Sequence, residues 1–456
     1  MSASTLTAPI APVGHEDRGK DLRERVRRES HAEWKPSPSR ENPLDILRKS
    51  DENRVQELVP IRYGRMLPSP FTFFRGAASI MAADLAHTPT IGVQVQACGD
   101  CHLKNFGGFA TPERNIVFDI NDFDETLPAP WEWDVKRLAT SFVLAARENG
   151  LPNSVAHQLA VTCAEYYRKG IREYAKFAPL DLWYVRTTSQ DFIDELEDAD
   201  LRATVQARVD KAASRRGANV DYPKLAEVVH GEVRIKDTPP LIFHPEVVRA
   251  DGSRKIIDDV LSTYRDSLPH ERRVLMDRYQ FVDAALKVVG VGSVGTRCWI
   301  GLFMSSANEP LFLQFKQASQ SVLEPYAGKS VYENSGQRVV VGQRLMQAAS
   351  DIFLGWTRGP AGDFYVRQLR DAKISPIVED FDEAMFLAFA EACGRNLARA
   401  HAKSGNASVI RGYLGKRDVF DEAIGTFAKR YADQTEVDHA LLKSAVKSGK
   451  IEVYVE

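Results

Sequence analysis

The stretch ACGDCHLKNFGGF, residues 97–109, holds two sets of residues that could do chemistry. Cys98, Cys101 and His102 are spaced C-x-x-C-H, the pattern of covalent haem c attachment. Gly99, Asp100, His102 and Asn105 are spaced G-D-x-H-x-x-N. That second set offers a carboxylate to take a hydroxyl proton, an imidazole, and an amide oxygen hard enough to ligate Mg2+. The cysteines weigh against haem. Cys98, Cys101, Cys163, Cys298 and Cys393 occur in a chain whose N-terminal segment has no apolar leader, which points to reduced thiols, whereas haem c is attached to exported chains. Zinc would need a second ligand pair, and the other three cysteines are isolated. Cys98 and Cys101 are therefore expected to pack a loop around Asp100, with neither haem nor zinc bound.

Further along, GVGSVG at residues 290–295 places Gly290, Gly292 and Gly295 in G-x-G-x-x-G spacing. Backbone without Cβ atoms lets amide groups approach phosphate oxygens. A dinucleotide fold needs a helix directly after such glycines. Here TRCWIGLF alternates as a strand and PLFLQFKQA reads as another, carrying Lys316. A glycine loop between antiparallel strands, followed by a strand with a lysine, is the nucleotide clamp of kinases. Its lysine contacts phosphates and is held by a glutamate from the next helix, for which Glu324 and Glu333 are the candidates. The plain alternative for Lys316 is a strand residue facing solvent.

Together these residues resemble the aminoglycoside phosphotransferase and choline kinase group of the protein-kinase-like superfamily, whose loop reads H-G-D-x-H-x-x-N. Gly99, Asp100, His102 and Asn105 match that loop, and Cys98 replaces its leading histidine. The resemblance implies ATP and Mg2+ as cofactors, with Asp122 of NDFDE holding the metal alongside Asn105 and with Asp119 and Asp124 as competitors. It implies Asp100 as the group that accepts or orients a hydroxyl proton, and His102 as a residue that orients the loop or touches phosphate. Gly290, Gly292, Gly295, Lys316 and Glu324 become the nucleotide contacts. Asp134 of PWEWDVKRLA would steady the loop or a helix N-terminus, and NLARAHA, with Leu397 and His401, resembles the helix that normally precedes the loop. The activity implied is phosphoryl transfer to a hydroxyl of a small molecule or a protein. Nucleotidyl transfer and a nucleotide-binding regulatory pseudokinase are the alternatives. The glycine loop follows the catalytic loop, the reverse of the usual order, and a circular permutation explains this. From about residue 45 to its end the chain also resembles an uncharacterised bacterial domain-of-unknown-function family, through the strings FFRGAA, NDFDE, VGVGSVGTR and GQRLMQAASD.

Such sites need elements to position them. VQVQA alternates as a short strand into the first loop, NFGGFA and NIVFDIND form a hairpin after it, and Leu138, Phe142 and Ala146 mark a helix that Gly150 stops. The expected fold is α+β, a protein-kinase-like two-lobed arrangement in permuted order. Residues 1–44 are a flexible arm, 45–279 a helical lobe with the catalytic and metal-binding loops, 280–370 a small antiparallel-sheet lobe, and 371–456 helices completing the helical lobe. With 456 residues, 44% of them hydrophobic, the chain can bury a large core. Sixty basic against 62 acidic residues leave a net charge of −2, so no global field draws it to nucleic acid or anionic lipid. A cytoplasmic protein is expected; the oligomeric state is not written in the sequence.

Overall fold

The computed structural model describes residues 14–196, 198–214, 222–239, 241–245, 253–288, 290, 294–369 and 373–454. Gly292 lies outside them. The fold mixes 54% helix with 17% strand, which agrees with the α+β class. Among the described residues no helix is long and apolar enough to cross a membrane.

The helical body is built around Trp131–Glu148, which is buried at every position from Trp131 to Ala146 and so can only be a central helix. Asn153–Tyr174, Glu383–Ser404 and Val419–Lys447 pack against it in one continuous apolar core. Four short strands lie at its edge. Strand β1 (Gln94–Ala97) enters the first loop, β2 (Phe106–Ala110) and β3 (Ile116–Ile120) form the hairpin beyond it, and β4 (Leu127–Pro130) returns to pair with β1.

The second half holds a separate sheet. After a small hairpin, β5 (Ala226–Val229) and β6 (Glu232–Ile235), come β7 (Ile242–Phe243), β8 (Tyr279–Lys287), β9 (Cys298–Ser305), β10 (Pro310–Ala318), β11 (Gly355–Gly359) and β12 (Gly362–Gln368). The order is β11-β12-β10-β9-β8-β7, antiparallel throughout. Alternation along β10 decides where Lys316 points. Leu311, Leu313 and Phe315 join the core beneath helix Ser253–Ser267, while Phe312 joins a second core on the other face. Gln314 and Lys316 share the parity of Phe312, so they turn away from that helix.

Three expectations change. Residues 15–44 are not a free arm: His15–Arg25 is a helix docked on Ala407–Leu414. Arg23 Nε donates to Tyr413 O at 2.8 Å and Arg28 Nη1 to Leu414 O at 2.7 Å, satisfying carbonyls that a helix end leaves open. The lobe expected to be helical over 45–279 is not so throughout, because the β5–β6 hairpin lies within it. The boundary at 279/280 also moves, since helix 253–267 belongs to the sheet; its Tyr264 hydroxyl donates to Phe353 O at 2.7 Å.

Candidate functional site

The first loop is fixed from beneath by side chains of the central helix. Gly99 has φ +84°, and a Cβ there would meet Glu125 O at 2.5 Å, so only glycine fits this turn. Asp134 accepts the amides of Cys98 at 2.6 Å and Gly99 at 3.0 Å. His401 Nε2 lies 3.1 Å from the same carboxylate, and the Tyr167 hydroxyl is 2.9 Å from His401 Nδ1. Leu103 N donates to Ser141 Oγ at 3.0 Å. Asp134 thus orders the loop, the role its place at a helix start suggests.

Arg137 Nε donates to Asp100 Oδ1 at 2.8 Å, and its Nη2 also reaches Phe74 O at 3.0 Å. This grip fixes one carboxylate oxygen. Asp100 Oδ2 is 3.9 Å from His102 Nε2, beyond hydrogen-bond reach. Burial pushes the Asp100 carboxyl up, and the guanidinium groups of Arg137 and Arg75 pull against it. Burial, then Arg75 and Arg137, hold the His102 imidazole well below its ordinary value, so it is neutral. Asn105 Nδ2 donates to Asp100 O at 2.8 Å, which leaves its Oδ1 as the available oxygen.

The acids after β3 meet the sheet. Lys316 Nζ lies 2.5 Å from Asp124 Oδ2 and 4.0 Å from Asp122 Oδ2, and the Tyr365 hydroxyl donates to Asp124 Oδ1 at 2.9 Å. Burial lowers the Lys316 pKa, but Asp122 and Asp124 more than offset it, and the ammonium stays well above its usual value. Burial and then Asp124 raise the Asp122 carboxyl; against burial, Lys316 draws Asp124 down. Asp122 is therefore the less satisfied carboxylate of the pair.

Glu324 does not hold Lys316. Its Oε1 accepts Ser321 N at 3.1 Å, and Glu333 is exposed. The following helix, Ser335–Met346, contains no glutamate. In it Arg338 donates to the carbonyls of Thr126 at 2.6 Å and of Asp124 and Ser319 at 2.8 Å, fixing the backbone of the acidic turn. The lysine takes its counter-charge from the opposite loop instead.

At the glycine loop, Gly290 and Gly295 have φ +65° and +86°. Residues from the N-terminal third reach them. Val55 N donates to Gly295 O at 2.7 Å, Arg54 Nη1 donates to Val294 O, and Arg65 Nη1 donates to Gly290 O. A cleft of about 120 Å³ brings together Asp100, His102, Asn105, Asp122, Asp124 and Gly290, with Arg54, Arg62 and Arg75 on its wall. Sequence spacing gave no hint of Arg54 or Arg338, while Arg75 and Arg137 lie in the strings FFRGAA and PWEWDVKRLA without a role assigned to them there.

Among the described residues no group of three or more His, Cys, Asp or Glu side chains is set to hold a metal. Asn105 Oδ1 and Asp122 offer two hard oxygens, which suits Mg2+, an ion that takes one or two protein ligands and completes its shell with substrate phosphates and water. Cys98 and Cys101 are free and buried, and the Cys98 thiol donates to Asp122 O at 3.3 Å.

No curated protein and no solved structure matches the chain. A family does match, over residues 54–445, a span that starts at the arginine gripping the glycine loop and takes in both loops and the residues that hold them. The chain belongs to that family, described as uncharacterized protein conserved in bacteria (DUF2252).

Proposed function

We propose that this chain is a cytoplasmic ATP- and Mg2+-dependent phosphotransferase of kinase-like, two-lobed architecture in permuted order, acting on a hydroxyl group. The observation that carries the reading is the meeting of Lys316, from the sheet, with Asp122 and Asp124, from the loop beyond Asp100 and Asn105. Lys316 stands on the third strand counted from the one that enters the glycine loop, as in kinases. The 383–404 helix ends against the strand that leads into the first loop: Ser404 Oγ accepts Gln96 N at 3.0 Å. A permuted chain needs this neighbourhood. Arg338, where the resemblance puts a glutamate-bearing helix, is the clearest departure.

Bound Mg-ATP would supply the electrophilic phosphoryl group. Asp100 receives the acceptor's hydroxyl proton on Oδ2, because Arg137 occupies Oδ1 and fixes the carboxylate's direction. Asn105 Oδ1 and Asp122 would hold the cation. Lys316 stays charged and exchanges Asp124 for phosphate oxygens, and amides beside Gly290 and Gly295 approach the same phosphates. Neutral His102 lines the cleft beside Asp100. Catalysis here is mostly placement and charge compensation.

Transfer of the nucleotidyl group is the second reading, favoured by Arg75 on the wall beside Asp100, which could receive the tail of a reversed triphosphate. ATP labelled on its γ- or α-phosphate, given with Mg2+ and pooled bacterial metabolites or protein, separates them. Transfer of the γ label supports phosphotransfer and transfer of the α label supports the second reading. No label transfer, together with no ATP-dependent gain in thermal stability, refutes both.

A further inference from the structure

Four arginines surround Asp100 or line its cleft, and three are spoken for. Arg54 donates to Ser50 O and Val294 O, Arg62 to Asp51 Oδ1 and Gly76 O, and Arg137 to Asp100 and Phe74 O. Arg75, at the end of helix Pro70–Gly76, makes no hydrogen bond or ion pair among the described residues, and its Nε is buried without a partner. The acids near it are committed elsewhere. Arg137 occupies Asp100 Oδ1, and Lys104 donates to Glu379. A guanidinium partly out of water with no acceptor is costly, and its fork geometry matches a phosphate or carboxylate.

Its electrostatic neighbours locate it. Asp100, Glu379 and Glu148 act on Arg75, whereas Asp122 and Asp124 act on Lys316. Arg75 lines the same cleft as Asp100, and Lys316 meets two acids of that cleft, Asp122 and Asp124, from the sheet. With Lys316 serving the nucleotide, Arg75 is the uncommitted cation of the cleft left for the acceptor, together with His102, whose Nδ1 is also buried without a partner.

We infer that Arg75 anchors an oxyanion carried by the acceptor itself, so that the substrate is an acidic molecule, bearing a phosphate or carboxylate as well as the hydroxyl presented to Asp100. This rests on the phosphotransferase reading. The anchor positions the hydroxyl and excludes neutral acceptors, whose binding would leave Arg75 unpaired.

The test uses the full chain, saturated with Mg2+ and a non-hydrolysable ATP analogue, and titrated calorimetrically with inorganic phosphate. Phosphate is expected to bind, and Arg75→Met to weaken it by about tenfold or more, with Arg75→Lys in between and the analogue's affinity unchanged in both. Equal phosphate binding in wild type and in a folded Arg75→Met protein overturns the inference, as does no phosphate binding to wild type. Displacement of phosphate by the analogue also overturns it, since the arginine would then serve the nucleotide's own tail. Phosphate binding that needs Arg75, in a protein that binds no analogue, upholds the oxyanion site and refutes the phosphotransferase reading alone.

Discussion

The two loops that carry the candidate chemistry are held in opposite ways. The loop at 98–105 rests on buried partners: Asp134 and Ser141 bind its amides, Arg137 binds Asp100, and His401 backs Asp134. The glycine loop is gripped at its rims by Arg54, Val55 and Arg65, from a segment far away in sequence. Proton transfer needs a carboxylate placed within hydrogen-bond reach, so a fixed loop suits it. A phosphate cradle must admit and release its ligand, so contacts at the edge suit it better. The difference predicts that mutations under the first loop act on stability, and mutations around the second act on ligand affinity.

Asp134→Ala should have the largest effect. It leaves two amides and His401 Nε2 unpaired in the core, and a loss of about 3–5 kcal/mol is expected in urea denaturation. A loss below about 1 kcal/mol would mean that the loop holds itself. Arg54→Ala should instead weaken nucleotide binding by about three- to tenfold and cost no more than about 2 kcal/mol of stability, since it removes hydrogen bonds to the Ser50 and Val294 carbonyls. Affinity unchanged in calorimetry would show that the rim contacts do not shape the cradle.

A further effect is one of pH. Burial lifts the Glu125 carboxyl from 4.5 to about 7, against the nearby Arg338. Between those values the folded protein keeps a proton that the unfolded chain releases, so this group's contribution to stability falls as pH rises, by at most about 1.4 kcal/mol per unit. Glu125→Gln should flatten that part of the stability profile. A wild-type profile that rises from pH 4.5 to 7 as steeply as that of Glu125→Gln would contradict it.

Where the determinants are local, the sequence was legible. The β2–β3 hairpin follows from apolar runs split by TPER, and helix Trp131–Glu148 from its periodicity and Gly150. Asp134 was found through the resemblance of PWEWDVKRLA to the kinase-like helix start. The β5–β6 hairpin carried a readable signal, the two-residue turn His230-Gly231 with φ 53° and 85°, which the helical-lobe reading of 45–279 passed over. Long-range partners left no such trace. Lys316 and Asp124 lie 192 residues apart, and nothing in the strand names its counter-ion. The 15–25 helix docks with Arg23 on carbonyls and a single apolar residue, Leu22, against the core, so it reads as a free arm.

Calorimetric titration of Mg-ATP into the full chain, its Asp122→Asn and Lys316→Ala variants, and its Asp100→Asn variant tests the central claim. The account predicts Mg2+-dependent binding to wild type, a loss of about tenfold or more in the first two variants, and near wild-type affinity in the third, with its label transfer abolished. Binding that ignores Mg2+ and survives both Asp122→Asn and Lys316→Ala would contradict it, because ATP would then be held somewhere other than between these two loops.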